Sequence, residues 1–491
     1  MSSGYQHGVR VYEHPTKLVA PRRVDSAIPI YVGTAPIHLS GTGLKDTDKK
    51  IHHPILANVY DEAVTKLGYS DDWKKFTLCE AMYAHFALFA RAPVIFVNVL
   101  DPAEHKTAMP GKEYTITAKQ AVLGEDAILD SVVVKAQESS GALTVGVDYS
   151  LSWNGENKAV LNVLAGGALE SAGTVYVSYD KLDPSKVTAA DIIGGYDSVK
   201  KRYEGLETIN QVFMRYGKVP ALICCPGWSH KPEVAAIMTA KTSGISGLFP
   251  SLAVTDMPCD ATLEDYTEAS EWKRRNSYTH THQIVCWPKG KLGDKVYHVS
   301  TIFACLCAVT DDEFGGIPYA SPSNHLSKMA AAVTDTGKEL LLDLNQANFL
   351  NGAGIVTLFN WESGWVLWGD ETGCYPSNTD PKDRFINIRR FYNWWAVKFI
   401  LRWFQKVDRP MNRRLLETIR DSENIEINGY VALGALVGPN NRLEFIADEN
   451  PTTDLIDGVI RAHTFLTVPP PARVIYNGLE YETENLLSLF L

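Results

Sequence analysis

Ala221-Leu222-Ile223-Cys224-Cys225-Pro226-Gly227 is an uninterrupted apolar run stopped by a Pro-Gly turn. So short a run, bounded in this way, reads as a strand buried on both faces, as in a parallel sheet covered by helices. Its surroundings fit that reading. Asp197–Gly217 carries a helical pattern before it, and a second helix is predicted to start near Pro232. Two more apolar runs follow, Leu252-Ala253-Val254-Thr255-Asp256 and Gln283-Ile284-Val285-Cys286-Trp287. Strand and helix alternating in this order predict a central α/β unit over residues 186–365.

Outward from this centre, residues 26–105 repeat the pattern, with a helix through Trp73–Arg91 and a strand at Val94-Ile95-Phe96-Val97-Asn98-Val99. Residues 106–185 change character. Tyr114–Val122, Ala127–Val134, Leu143–Trp153, Ala159–Val163 and Gly173–Val177 alternate apolar with polar residues between Gly, Asn, Asp and Ser turns. That spacing predicts an all-β insertion built as a small sandwich or barrel. Residues 366–471 open with a long helix, Phe385–Val407, then Pro410, a second helix to Ile419 and a strand-rich tail. The expected fold class is α/β (α+β) and multidomain, with no internal repeat.

The two ends differ from everything between them. Residues 1–25 form an extended arm: Val9, Arg10, Val11 and Tyr12 read as a strand, and Pro15 and Pro21 deny the segment a helix. Residues 472–491 follow Pro469-Pro470-Pro471 and alternate as Val474, Tyr476, Leu479 and Tyr481, predicting a strand or a hairpin about Asn477-Gly478. Strands outside a compact unit pair with an edge elsewhere, most simply in another copy of the chain. In the first arm Arg10, Lys17, Arg22 and Arg23 outnumber Glu13, whereas in the last Glu480, Glu482 and Glu484 outnumber Arg473. Opposite charge would draw the two arms together between copies.

Composition narrows the function. With 47 Lys+Arg against 57 Asp+Glu, the net charge of −10 excludes a protein that coats nucleic acid through a basic surface. No apolar h-region opens the chain and no run approaches a membrane span, so neither a signal peptide nor membrane insertion is expected. The 8 cysteines show no C-x-x-C pair and mostly lie among apolar residues, which predicts buried reduced thiols and synthesis in a reducing cytoplasm.

Catalytic signatures are missing. Gly227-Trp228-Ser229-His230 lacks the closing Gly of a nucleophile elbow. Pro110-Gly111-Lys112-Glu113 lacks the rest of a P-loop, and Gly41-Thr42-Gly43 and Gly352-Ala353-Gly354 lack the third glycine of a dinucleotide loop. His52-His53 and His280-Thr281-His282 have no correctly spaced third ligand, so surface histidines are expected and no metal or cofactor. Asp311-Asp312-Glu313-Phe314-Gly315-Gly316 reads as an exposed acidic turn. The informative element is the long helix, where Phe391, Trp395, Phe399 and Trp403 make an aromatic stripe suited to a core. Lys398, Arg402 and Lys406 make a basic stripe beside it, which would dock on an acidic partner.

These pieces resemble a known family. Gly8-Val9-Arg10-Val11-Tyr12-Glu13 followed by Val24-Asp25-Ser26-Ala27-Ile28-Pro29-Ile30-Tyr31-Val32-Gly33-Thr34-Ala35-Pro36 is similar to the start of contractile-tail sheath proteins of bacteriophages and phage-tail-like bacteriocins. Ala221–Gly227, Phe314-Gly315-Gly316-Ile317-Pro318-Tyr319-Ala320-Ser321-Pro322-Ser323-Asn324 and the helix from Phe385-Ile386-Asn387-Ile388-Arg389-Arg390 to Pro410-Met411-Asn412 resemble further family segments in the family's order. The resemblance implies a non-enzymatic subunit of stacked hexameric rings, contracting around an inner tail tube to drive it through a cell envelope. It also implies a subtilisin-like central topology without a catalytic triad. The arms would pair between subunits through Val9, Arg10, Val11, Tyr12, Val474, Tyr476, Leu479 and Tyr481, and Lys398, Arg402 and Lys406 would face the tube. The implied partners are further copies, the tail tube, baseplate and tail terminator proteins. The implied place is a virion or tailocin tail assembled in the host bacterial cytoplasm. Two alternatives stand beside it: a hydrolase using Ser229 or His230 on the 225–232 loop, and a type VI-like secretion sheath component.

Overall fold

The computed structural model describes residues 22–490 except 24, 42, 48 and 49. Its centre is a six-stranded sheet of β1 (Pro29–Gly33), β2 (Ile55–Ala57), β3 (Val94–Asn98), β4 (Leu222–Cys224), β5 (Leu252–Asp256) and β6 (Gln283–Cys286), in the order β6-β5-β4-β1-β3-β2. All neighbours are parallel except β2, which runs antiparallel to β3. Every residue of β1, β3, β4, β5 and β6 is buried, as continuous apolar runs require when helices cover both faces. Gly33 ends β1 because a helix presses on it: a Cβ there would lie 2.3 Å from Thr77 Oγ1. Thr34 then locks that contact, its Oγ1 accepting from the Thr77 N–H at 3.1 Å.

The helix α1 (Val299–Glu313) is buried along most of its length and packs on β5. The insertion forms two three-stranded antiparallel sheets around one separate core. One joins Gln120–Glu125, Lys158–Val163 and Tyr149–Trp153, and the other joins Lys106–Thr115, Thr174–Leu182 and Val133–Lys135. The C-terminal part is an antiparallel helical hairpin of α2 (Ile386–Trp403) and α3 (Arg413–Ala432), followed by a small sheet of β7 (Arg442–Glu444) and β8 (His463–Phe465). All eight cysteines are buried and unpaired.

Several sequence expectations are corrected. The helix expected at Asp197–Gly217 is instead a hairpin of Gly195–Asp197 with Arg202–Glu204, a 3-10 turn and a short helix, Val212–Tyr216. Asp197 accepts from the N–H groups of Val199 and Lys200 and so bends the chain where a helix would have run on. The helix of Trp73–Arg91 begins only at Thr77 and continues as a π-helix over Tyr83–Leu88, ending where Ala90 takes a left-handed φ of 52°. The second C-terminal helix runs past Ile419 to Ala432, because Asn412 caps it and Gly429 alone does not break it. Among the described residues the last arm makes neither strand nor hairpin; Thr483–Phe490 is a 3-10 helix. The N-terminal strand with Val9, Arg10, Val11 and Tyr12 lies outside the described residues.

Candidate functional site

In an open α/β sheet, ligands bind beyond the carboxyl ends of the strands where the strand order reverses. Here that point lies between β4 and β1, and a cleft of about 450 Å³ opens there, lined in part by Thr34, Gly227, His230, Asp256 and His298. The polar groups behind it are already committed to the protein itself. Ser229 is 0 % exposed. Its hydroxyl donates to Asp256 Oδ2 at 3.1 Å and accepts from the Asp256 N–H at 2.9 Å. Asp256 also accepts from the Ser300 N–H at 2.9 Å and the Ser300 hydroxyl at 2.5 Å, capping the N-terminus of α1. Glu80 closes the same helix end through the His298 N–H at 2.8 Å and pairs with His298 Nδ1 at 2.7 Å. His230 makes no hydrogen bond to Ser229, and burial together with nearby His298 and Lys289 holds its imidazole below the usual histidine range. A nucleophile needs an adjacent base and access to substrate. Ser229 is sealed from solvent, and the one carboxylate it meets, Asp256, is already engaged by Ser300 and by the end of α1, so the geometry opposes the hydrolase reading.

The histidine pairs serve structure. His52 Nδ1 accepts from the Gly205 N–H at 3.0 Å, His53 Nε2 lies 2.9 Å from Arg215, and the rings of His280 and His282 are 5.8 Å apart with His282 Nδ1 near Thr281. Among the described residues no group of three His, Cys, Asp or Glu is placed to hold a metal ion.

The α2–α3 hairpin sorts the two stripes of the long helix. Phe391 and Trp395 are buried and pack with Ile427 and Tyr430 of α3, as an aromatic stripe should. The basic stripe, expected to be open, is largely covered by acids of α3. Lys398 pairs with Glu426 and Tyr430, and Arg402 pairs with Glu426 and, at 2.7 Å, with buried Glu423. Arg402 stays exposed despite these pairs, and Lys406 is exposed with no ion pair among the described residues, beside exposed Phe404 and Val407 at the tip.

One buried cluster escaped the sequence reading. Arg390 donates to both oxygens of Asp311, at 2.9 and 2.7 Å, and Ser26 donates to Asp311 Oδ2 at 2.6 Å. Asp311 is thus not part of an exposed turn but the anchor that ties α2 to the body. The only sequence signal was an acid inside the apolar pattern of α1.

Among the described residues the C-terminal segment is the most exposed apolar stretch: Ile475 is 85 %, Tyr476 92 % and Leu479 91 % exposed, with Val474 and Tyr481 also open. At its root Arg473 meets the buried carboxylate of Glu371 at 2.9 Å, a carboxylate shared with Arg384. Large contiguous apolar exposure marks a surface built to be covered.

No family model matches the chain. Over its full length and 99 % of the relative, the chain is 27 % identical to the tail sheath protein of Burkholderia phage BcepMu. Among solved structures, a chain of the six-fold symmetrised anti-feeding prophage baseplate shares the fold at TM-score 0.58 and 12 % identity, covering 97 % of this chain and 99 % of that one. The sheath complex of an extracellular contractile injection system in its contracted state follows at 0.55 and 14 %, covering 99 % and 100 %. A sheath tail protein from Desulfitobacterium hafniense matches at 0.51 and 12 %, covering 90 % and 94 %. From end to end, the chain is a homologue of a phage tail sheath protein and carries the fold found in the sheaths of contractile injection systems.

Proposed function

We propose that the chain is the structural subunit of a contractile tail sheath, polymerising as stacked hexameric rings around an inner tail tube and contracting to drive that tube through a target envelope. The observation that carries this reading is full-length similarity to a tail sheath protein. The role is structural and not enzymatic, in keeping with its relatives and with a strand-end cleft whose Asp256 is committed to the protein's own serines. Its partners on this reading are further copies of itself, the tail tube, baseplate and tail terminator proteins, in the tail of a virion or tailocin assembled in a bacterial cytoplasm. Both arms exchange between subunits as added strands, through Val9, Arg10, Val11 and Tyr12 and through Val474, Tyr476, Leu479 and Tyr481. The exposed C-terminal segment, which joins no sheet among the described residues, supports this. The tube contact stays with Lys398, Arg402 and Lys406 of the hairpin, Lys406 supplying the open charge and α3 positioning the other two. The division of the chain at residues 25, 105, 185, 365 and 471, and a subtilisin-like path of the body, belong to the same reading.

Electron microscopy of the purified full chain tests it. Tubes or rings of uniform diameter are expected, and a protein that stays monomeric at high concentration contradicts the proposal. Deleting residues 472–491 is expected to leave a folded, soluble subunit that no longer assembles, since the segment's apolar side chains are exposed rather than part of its own core. Unfolding of the truncated chain would instead show that the segment is an internal strand.

A further inference from the structure

The buried acids Asp370 and Glu371 follow the strand Gly364–Trp368 and meet two arginines that are held very differently. Arg384 is fixed. It donates from Nε to Glu371 Oε2 at 2.9 Å and from Nη2 to Oε1, and its guanidinium lies over the rings of Tyr375 and Phe385, 4.4 and 4.6 Å from their centroids. Its side chain is 16 % exposed. Arg473, in the C-terminal segment, reaches the same Oε1 from outside at 2.9 Å with its side chain 51 % exposed. Arg473 is therefore the partner that can leave without disturbing the core.

The chain is anchored up to this point. Val468 is buried among the residues of the α2–α3 core, and Asn387 Nδ2 donates to the Pro469 C=O at 3.1 Å. Pro469-Pro470-Pro471 is stiff, so the first residue free to turn is Ala472. The contact just beyond it, Arg473 to Glu371, decides whether Val474 and Ile475 stay in the cleft of about 650 Å³ that they line with Ser323 and Trp368, or swing clear of it.

Charge decides how firmly Arg473 is held. Arg384 alone neutralises Glu371, so a second guanidinium beside it is repelled unless a second carboxylate is ionised. Asp370 is that carboxylate. Burial, and then Glu371, push its carboxyl up to about 6, while Arg473 and Arg384 draw it down. Linkage is reciprocal: as docked Arg473 favours loss of the proton from Asp370, so loss of that proton favours docked Arg473.

We propose that Asp370 and Glu371 form a proton-gated clamp for Arg473: with both carboxylates ionised the root of the C-terminal segment is held against its own body, and a proton on Asp370 frees it. The charged groups facing Asp370 are Glu371 beside it, Arg384 from the turn before α2 and Arg473 from the segment. The clamp is a property of the single subunit. That it sets the direction in which the segment leaves for a neighbour rests on the arm-exchange reading above.

Spin labelling tests the clamp. Because the native cysteines are buried, Ile475→Cys in the full chain takes a nitroxide selectively. Its spectrum is read across pH 5–8 at a dilution where sedimentation shows single subunits. An immobilised component is expected at pH 8 and is expected to be lost as the pH falls through about 6. Asp370→Asn is expected to keep the low-pH spectrum throughout. Arg473→Gln, which removes a half-exposed side chain and spares the fold, is expected to do the same. By linkage, Arg473→Gln is also expected to raise the pH at which Asp370 titrates, read as an upward shift in the midpoint of melts across pH 4–8, which a merely structural arginine would not move. A parent spectrum that does not change with pH, or an Arg473→Gln spectrum that matches the parent at pH 8, overturns the clamp. Assembly that survives deletion of residues 472–491 refutes arm exchange alone, and the clamp then stands or falls on the single-subunit spectra.

Discussion

Arg390 and Asp311 stand 79 residues apart in sequence yet form a fully buried two-pronged ion pair. Such a pair is modest in net worth but costly to break, since the survivor is left as a bare buried charge. Arg390→Ala is expected to destabilise the fold by about 3–5 kcal/mol in urea unfolding, while Arg390→Met combined with Asp311→Leu recovers most of the loss. Equal loss in single and double variants would show that the charges are not the cause. Asp370 offers a pH-dependent counterpart. Burial, and then the neighbouring Glu371, push its carboxyl up to about 6, against the opposing pull of Arg473 and Arg384. Between roughly pH 4 and 6 the folded chain therefore keeps a proton that the unfolded chain has released, so this group's stabilisation fades as pH rises through that window. Asp370→Asn is expected to flatten the fall and to stabilise the protein at pH 7 by up to about 3 kcal/mol, read from melts across pH 4–8. Parallel melts of variant and parent would clear Asp370.

At the scale of elements, the α2–α3 hairpin depends on one buried acid. Glu423 is 2 % exposed and accepts from Arg402 at 2.7 Å and from Trp403 Nε1 at 2.8 Å. Glu423→Ala leaves that indole N–H without its acceptor, which costs about 1–3 kcal/mol. Faster amide exchange confined to Ile386–Trp403 and Arg413–Ala432 is the expected readout, and unchanged protection there would contradict it. The helical periods of α2 and the apolar runs of β4, β5 and β6 were legible in sequence because a single local pattern fixes each. The hairpin of Gly195–Asp197 with Arg202–Glu204 was not, since side-chain bonds from Asp197 outweighed the helical pattern. Nor was the neutralised basic stripe: acids supplied by α3 lie 20 or more residues away from the lysine and arginine they meet.

Across the whole molecule, the insertion has its own core, and its first and last strands pair at the root, Lys106 opposite Leu182. Its entry and exit are thus adjacent, so replacing residues 107–181 by a short Gly-Ser linker closes a small gap at little entropic cost. The shortened chain is expected to melt cooperatively, with some loss from uncovering His38, which the insertion's Trp153 shields at a ring distance of 5.4 Å. A non-cooperative melt would show that the insertion is part of the body's core.

By itself the sequence determined the buried strands of the central sheet, the long amphipathic helix, the all-β insertion and a C-terminal segment unsuited to its own core. Those are properties of neighbouring residues, written in short periods. The tertiary structure alone decided that Ser229 is sealed, that Asp311 anchors a helix and that α3 pairs with Lys398 and Arg402 of the basic stripe. Each of these depends on which distant polar group arrives opposite another, and a buried polar atom takes its meaning from that partner.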